Sequence, residues 1–135
     1  MKLTIDVLSA LYRILNVEPL ISSITGKIYL GNPPYTGQRE DISLNALTNL
    51  NEYMQEGIVN LNVHVRQTEA GRSPLKRMRE IVTIIEPMLR DVQSEGVFFT
   101  IEQDKGFFSD QDRDGMYFYN LRLEYQYIRG TKNGN

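Results

Sequence analysis

Gly57-Ile-Val-Asn-Leu-Asn-Val-His-Val-Arg66 alternates strictly between apolar and polar side chains from Val59 onward. The apolar members of the alternation are Val59, Leu61, Val63 and Val65. This alternation has the period of a β-strand with one buried face and one polar face. We therefore expect a central or near-central strand of a sheet at this point in the chain.

A helix is predicted to follow this strand. Ser73 and Pro74 suit the N-cap and the first helical position, and apolar residues then recur at helical spacing to about Val92, before Gly96. Pro87 lies within this segment and predicts a kink or a break. A strand followed by a helix that covers its apolar face is the nucleus of a two-layer α+β domain.

The remaining elements are predicted from the same periodicities, capping residues and turn residues. Strands are expected in five segments, of which the last two form a hairpin around a polar turn at residues 104–115. The predicted elements are a helix capped by Thr4 and running to about Asn16, a short helical turn from Pro19 ended by Gly26, and strands over 27–30, from 41, 57–66, from 97 and 116–128.

These elements predict one α+β domain over residues 1–128, followed by a flexible C-terminal tail at residues 129–135. The sheet is expected to be mostly antiparallel, with four to five strands and two main helices packed on one face. A chain of 135 residues is the size of a single domain.

Composition narrows the classes of protein that need to be considered. The formal net charge is −2, which argues weakly against a dedicated nucleic-acid binder. No apolar run approaches the roughly 20 residues that span a bilayer, so no membrane partner is expected. The chain has no cysteine for a disulfide or a zinc site, and its N-terminus predicts no secretory signal.

Asp110-Gln-Asp-Arg-Asp-Gly115 matches the opening of a calcium-binding loop. Asp110, Asp112 and Asp114 would supply the first carboxylates. The ninth and twelfth loop positions fall on Phe118 and Leu121, which have no oxygen ligand. The segment is therefore interpreted as a solvated acidic turn with these three aspartates as a weak metal candidate, and no cofactor is expected.

His64 is the only histidine, so any Ser-His-Asp arrangement would have to use it. The chain contains no Gly-x-Ser-x-Gly nucleophile elbow and no glycine-rich phosphate loop. His64 is therefore interpreted as a partly exposed strand residue, and the sequence predicts no catalytic residues and no enzyme.

Charge is segregated along the chain. Residues 66–79 hold five basic residues against Glu69, a net charge of +4, and residues 102–114 hold five acids against two basic residues, a net charge of −3. Two ordinary solvated surfaces would explain this pattern. The alternative is a head-to-tail interface between subunits, formed by Arg66, Arg72, Lys76, Arg77 and Arg79 on one side and Asp110, Asp112 and Asp114 on the other.

The order of elements resembles that of phage tail-terminator proteins, also called tail-completion or head-to-tail joining proteins. The resemblance covers roughly residues 5–128. It rests on the N-terminal helix ending near Pro19, the strand at 27–30, the Gly31-Asn-Pro-Pro34 loop, the strand pair around Asp41 and Gly57, the helix with a basic start, and the closing hairpin.

The resemblance implies a structural virion protein of the head-to-tail junction or tail, found in the host cytoplasm during assembly. Such subunits form closed rings, usually hexamers, with dodecamers among related connectors. Their partners are neighbouring connector or tail-tube proteins, and DNA is only a passing cargo in the lumen. A mildly acidic or polar lumen wall is expected, because a basic wall would bind the phosphates. The alternative is a small dimeric interaction or regulatory module.

Overall fold

The computed structural model describes residues 2–34, 36–50, 54–69 and 71–128. The predicted tail at 129–135 lies outside these residues. The elements in chain order are α1 (Thr4–Leu15), α2 (Leu20–Ser23), β1 (Ile28–Leu30), β2 (Asp41–Leu50), β3 (Met54–Arg66), α3 (Leu75–Met88), β4 (Val92–Ser94), β5 (Val97–Ser109) and β6 (Met116–Ile128).

The strands form one mixed sheet in the order β1-β2-β3-β6-β5-β4. β1 pairs with β2 in parallel, and every other neighbouring pair is antiparallel. The predicted sheet of four to five mostly antiparallel strands with two packed helices is therefore wrong, because the described residues form six strands and three helices. The strand that was not predicted is β4, whose three residues are too few for a clear periodic signal.

The apolar face of β3 is the centre of the core, as its alternation predicted. Val59, Leu61 and Val63 are fully buried. All three helices contribute to the same cluster of buried residues, through side chains such as Leu11 on α1 and Ile81 on α3. The helices therefore cover one face of the sheet, and the alternate side chains of the strands lie on the opposite face.

The prediction that the second main helix extends to about Val92 is wrong, since α3 ends at Met88, one residue after Pro87. Asp91 and Glu95 adopt positive φ angles of 53° and 52°, and between them the chain forms β4. Val92 fits the apolar stripe of a longer helix equally well, so periodicity alone does not reveal this reversal.

Capping at the N-terminal helices also differs from the prediction. Leu3 occupies the N-cap position of α1, where its backbone N–H donates to Asp6 Oδ2 at 3.0 Å. Thr4 is therefore the first helical residue instead of the cap. The short second helix forms as predicted, but Ile24 is its C-cap, and Gly26 N–H donates to Glu40 O at 2.9 Å.

The closing hairpin forms as predicted, and the bounds of β6 agree with the sequence. β5 is longer than expected and runs to Ser109, so the turn comprises only residues 110–115. Its pairing with β6 is irregular between Ile101 and Gln103 and between Asp104 and Gly106. Among the described residues, no helix is long and apolar enough to cross a membrane.

Candidate functional site

A polar cavity opens on the face of the sheet that the helices leave uncovered. Its volume is about 350 Å³. Three parts of the chain enclose it, namely the loop after β1, the polar faces of β2 and β3, and the β5–β6 turn. The lining residues are Asn32, Pro33, Ser43, Asn62, His64, Asp110, Asp112, Arg113 and Phe118.

His64 lies at the centre of this cavity wall and is 7% exposed. Its Nε2 atom and Ser43 Oγ share a hydrogen bond of 2.8 Å. On the other side of the ring, Nδ1 lies 3.8 Å from Asp110 Oδ2. The expectation of a partly exposed histidine is therefore wrong, because the loop after β1 and the β5–β6 turn cover this end of the polar face.

Ser43, His64 and Asp110 have the residue types of a catalytic triad, but the geometry differs from one. The separation of 3.8 Å exceeds the roughly 3.2 Å reach of a hydrogen bond. Asp110 Oδ2 instead accepts a hydrogen bond from Arg113 Nε at 3.1 Å, and Ser43 is only 2% exposed. The contacts fit a buried polar cluster better than an activated nucleophile.

The pKa of His64 is lowered to about 4, mainly by burial and in addition by the nearby positive charge of Arg113, while Asp110 opposes the shift. The ring is therefore neutral at pH 7. Its Nδ1 atom is buried without a hydrogen-bond partner among the described residues.

Arg113 connects the β5–β6 turn to the loop between β1 and β2 through hydrogen bonds. Its Nη1 donates to Gly37 O at 2.8 Å, and its Nε donates to Asp110. The side chain is buried, and among the described residues its Nη2 atom has no hydrogen-bond partner. In the sequence Arg113 is recognisable only as part of a charged segment, because its burial depends on how the turn folds back.

A row of amides continues along the same sheet face. Asn120 Nδ2 donates to Asn62 Oδ1 at 2.6 Å and lies 3.4 Å from Asn60 Oδ1. The alternation in β2, β3 and β6 places Ser43, His64 and these amides on one face of the sheet. The sequence pattern is therefore sufficient to predict that they share this face.

The three aspartates of the calcium-like segment do not converge. Asp110 accepts hydrogen bonds from Arg113 and from the backbone N–H of Asp112, whereas Asp112 and Asp114 are exposed. Within the described ranges, no group of three or more acidic, histidine or cysteine side chains is arranged to hold a metal ion.

The basic residues of the predicted interface have different environments. Arg77 donates to Glu40 at 2.6 and 2.8 Å and to Ser23 O, which holds it within the subunit. Arg66 contacts Gln38, and Arg72 lies 3.6 Å from Glu69. Lys76 and Arg79 are exposed on α3.

The basic and acidic segments lie at the same end of the sheet. Arg66 pairs with Met116 in the register of β3 and β6, and Gln67 N–H donates to Gly115 O at 2.9 Å. The two charged segments are therefore neighbours within one subunit. The head-to-tail interface stays a prediction.

Comparison of the sequence with protein-family models and with curated proteins finds no match.

Proposed function

We propose that this chain is a structural virion subunit that forms a closed ring at the phage head-to-tail junction or tail end. The ring joins the tail to the head connector, and DNA passes through its lumen. The proposal is supported by the resemblance in element order and, above all, by the polar face of the sheet that the helices leave uncovered.

The uncovered face has the character expected of a surface that DNA passes without binding. Amide side chains occupy much of it, including Asn60, Asn62 and Asn120. Its charges beyond the cavity include the acids Glu56, Glu102 and Glu124 and the guanidinium groups of Arg66 and Arg122, of which Arg122 lies 3.1 Å from Glu102. A polar and slightly acidic wall does not hold phosphate groups as a basic wall would.

β5 offers a surface for contact between subunits. Beyond Phe99, no strand of the described residues pairs with its outer edge. Phe107 and Phe108 on this part of the strand are 43% and 46% exposed. An open strand edge with exposed aromatic rings suits association with another chain, while the charged residues and pairing irregularities of β5 disfavour indiscriminate pairing.

Native mass spectrometry over a range of protein and salt concentrations, with negative-stain images, tests the proposal. We expect hexamers or dodecamers that image as rings with an open centre. If the free protein is a monomer, rings are expected on addition of a tail tube or head connector. A stable dimer, or a monomer indifferent to these partners, would contradict the proposal.

A pair of variants links the assembly to β5. Phe107→Ser removes an exposed ring from the open edge and is expected to weaken ring formation. Ile21→Ser changes a side chain of similar exposure, 41%, on α2, outside β5 and the charged segments, and serves as the control. Rings that are equally stable in both variants would show that this part of β5 does not form the subunit contact.

A further inference from the structure

The His64 cavity is a built concavity that the ring proposal does not use. Its walls come from three separate segments, and Arg113 fixes the turn over it through Gly37 and Asp110. Its volume of about 350 Å³ falls in the usual range of small-molecule sites, which begins near roughly 300 Å³.

Two residues of the cavity wall have unsatisfied hydrogen-bonding groups. Arg113 Nη2 and His64 Nδ1 are buried without a partner among the described residues, and each residue is only 7% exposed. Buried polar atoms are normally hydrogen-bonded, to protein or to a bound molecule. Both atoms are closed off by surrounding protein, so a ligand meets instead the polar groups beside them, the amides of Asn32 and Asn62 and the carboxylate of Asp112. These groups include hydrogen-bond donors and acceptors, and a hydroxyl group can pair with either.

The charges of the wall favour a neutral ligand. The positive charge of Arg113 is balanced by Asp110 at 3.1 Å, and Asp112 adds an exposed carboxylate. An anion would approach Asp110 and Asp112, and a cation would approach the buried guanidinium. Asn32 and Asn62 can each donate and accept hydrogen bonds, while Phe118 and Pro33 present apolar surface to C–H groups.

We propose that this cavity binds a neutral polyhydroxylated molecule, namely one sugar ring, through Asn32, Asn62 and Asp112, with Phe118 against its C–H groups. A free monosaccharide and the terminal sugar of a glycan present the same kinds of hydroxyl and C–H groups to the cavity. All lining residues of the cavity come from one chain, so the test of sugar binding does not require ring formation.

Saturation-transfer NMR on the full chain tests this site. The probes are glucose, galactose, mannose and N-acetylglucosamine, each free and as its methyl glycoside, with glucosamine and glucuronate as charged comparisons. An immobilised array of glycans ending in the same neutral sugars forms the second arm. We expect binding of at least one neutral sugar with a Kd in the millimolar range, and preference for the free sugar or the array separates the two sources.

Variants of exposed cavity residues test whether binding occurs in this cavity. Asn32→Ala and Asp112→Ala are each expected to weaken binding about tenfold, since each removes a hydrogen-bonding group. Asp114→Ala lies in the same turn but outside the wall of this cavity, and it should bind as the wild type does.

Three results would overturn the proposal. They are the absence of binding to every neutral sugar in both arms, a preference for glucosamine or glucuronate over the neutral sugars, and equal binding by the wild type and the two cavity variants. The first result would leave the cavity as a water-filled polar cluster.

Discussion

His64 links the buried polar cluster to the pH dependence of stability. Its pKa is about 4 in the folded protein, against 6.5 for the exposed side chain. Between these values the unfolded chain binds the proton and the folded protein does not. Neutral His64 therefore makes its full contribution to the free energy of unfolding above pH 6.5. This contribution, about 3 kcal/mol, is lost as the pH falls towards and through 4.

This prediction is tested by urea unfolding between pH 7 and pH 4 for the wild type and His64→Gln. Glutamine keeps a hydrogen-bonding group near Ser43 but does not titrate. The difference between the two proteins isolates His64 from the carboxylates that titrate in the same range. Parallel losses of unfolding free energy in both proteins would show that His64 is not the group responsible.

Part of this site was predictable from single residues. Ser43 and His64 occupy the polar phase of two alternating strands, so the sequence placed them on one face of the sheet. The burial of His64 was not predictable, because it results from the loop after β1 and from Arg113, whose guanidinium contacts Gly37 far along the chain. Local patterns carry no information about such a long-range contact.

At the scale of elements, Arg77 joins α3 to the end of α2 and to the segment before β2. Its guanidinium makes a bidentate pair with Glu40 and also donates to Ser23 O. The hydrogen bonds with Glu40 raise the pKa of Arg77, which is charged in any case. The side chain of Glu40 is only 16% exposed, so solvent screens this pair less than a surface pair.

Arg77→Met is therefore expected to lower the unfolding free energy by about 2 kcal/mol, because it leaves Glu40 without its charged partner. Arg79→Met lies on the same helix with an exposed side chain and should change stability by less than about 0.5 kcal/mol. Chemical denaturation measures both. Equal stabilities of the two variants would contradict a structural role for the Arg77 pair.

The elements that were predicted well have long, strict periodicity, as in β3 and β6. The errors lie where the end of an element is not marked by local composition or periodicity, as at Val92, which fits the apolar stripe of α3 although that helix ends at Met88. Glu102 to Lys105 has the composition of a turn, yet β5 passes through it with two irregularities. The parallel pairing of β1 with β2 depends on the path of residues 31–40, which local patterns do not specify.

At the scale of the whole molecule, the placement of charge limits how subunits associate. The start of the basic segment, at Arg66 and Gln67, lies beside the acidic turn at 110–115 at one end of the sheet. A head-to-tail contact brings the basic segment of one subunit to the acidic turn of the next. The same surface is also complementary to itself across a two-fold axis, so charge alone fits both arrangements.

Two charge-reversed variants distinguish these arrangements. Arg72→Glu with Lys76→Glu makes the end of the sheet acidic, and Asp112→Lys with Asp114→Lys makes it basic. Asp110 is kept, because its bond to Arg113 supports the turn. Each variant alone is expected to fail to assemble, and raised salt should weaken the wild-type contact, since both effects remove attraction between opposite charges.

The mixture of the two variants then reports the symmetry of the contact. In a head-to-tail ring, every interface between unlike subunits is attractive, so the mixture should restore closed rings with an even number of alternating subunits. In a two-fold contact, one subunit of each variant is enough to pair the acidic end with the basic end. Native mass spectrometry would then find heterodimers and no larger assembly. Heterodimers would contradict a ring built through these residues, and normal assembly of each variant alone would remove the charged segments from the interface altogether.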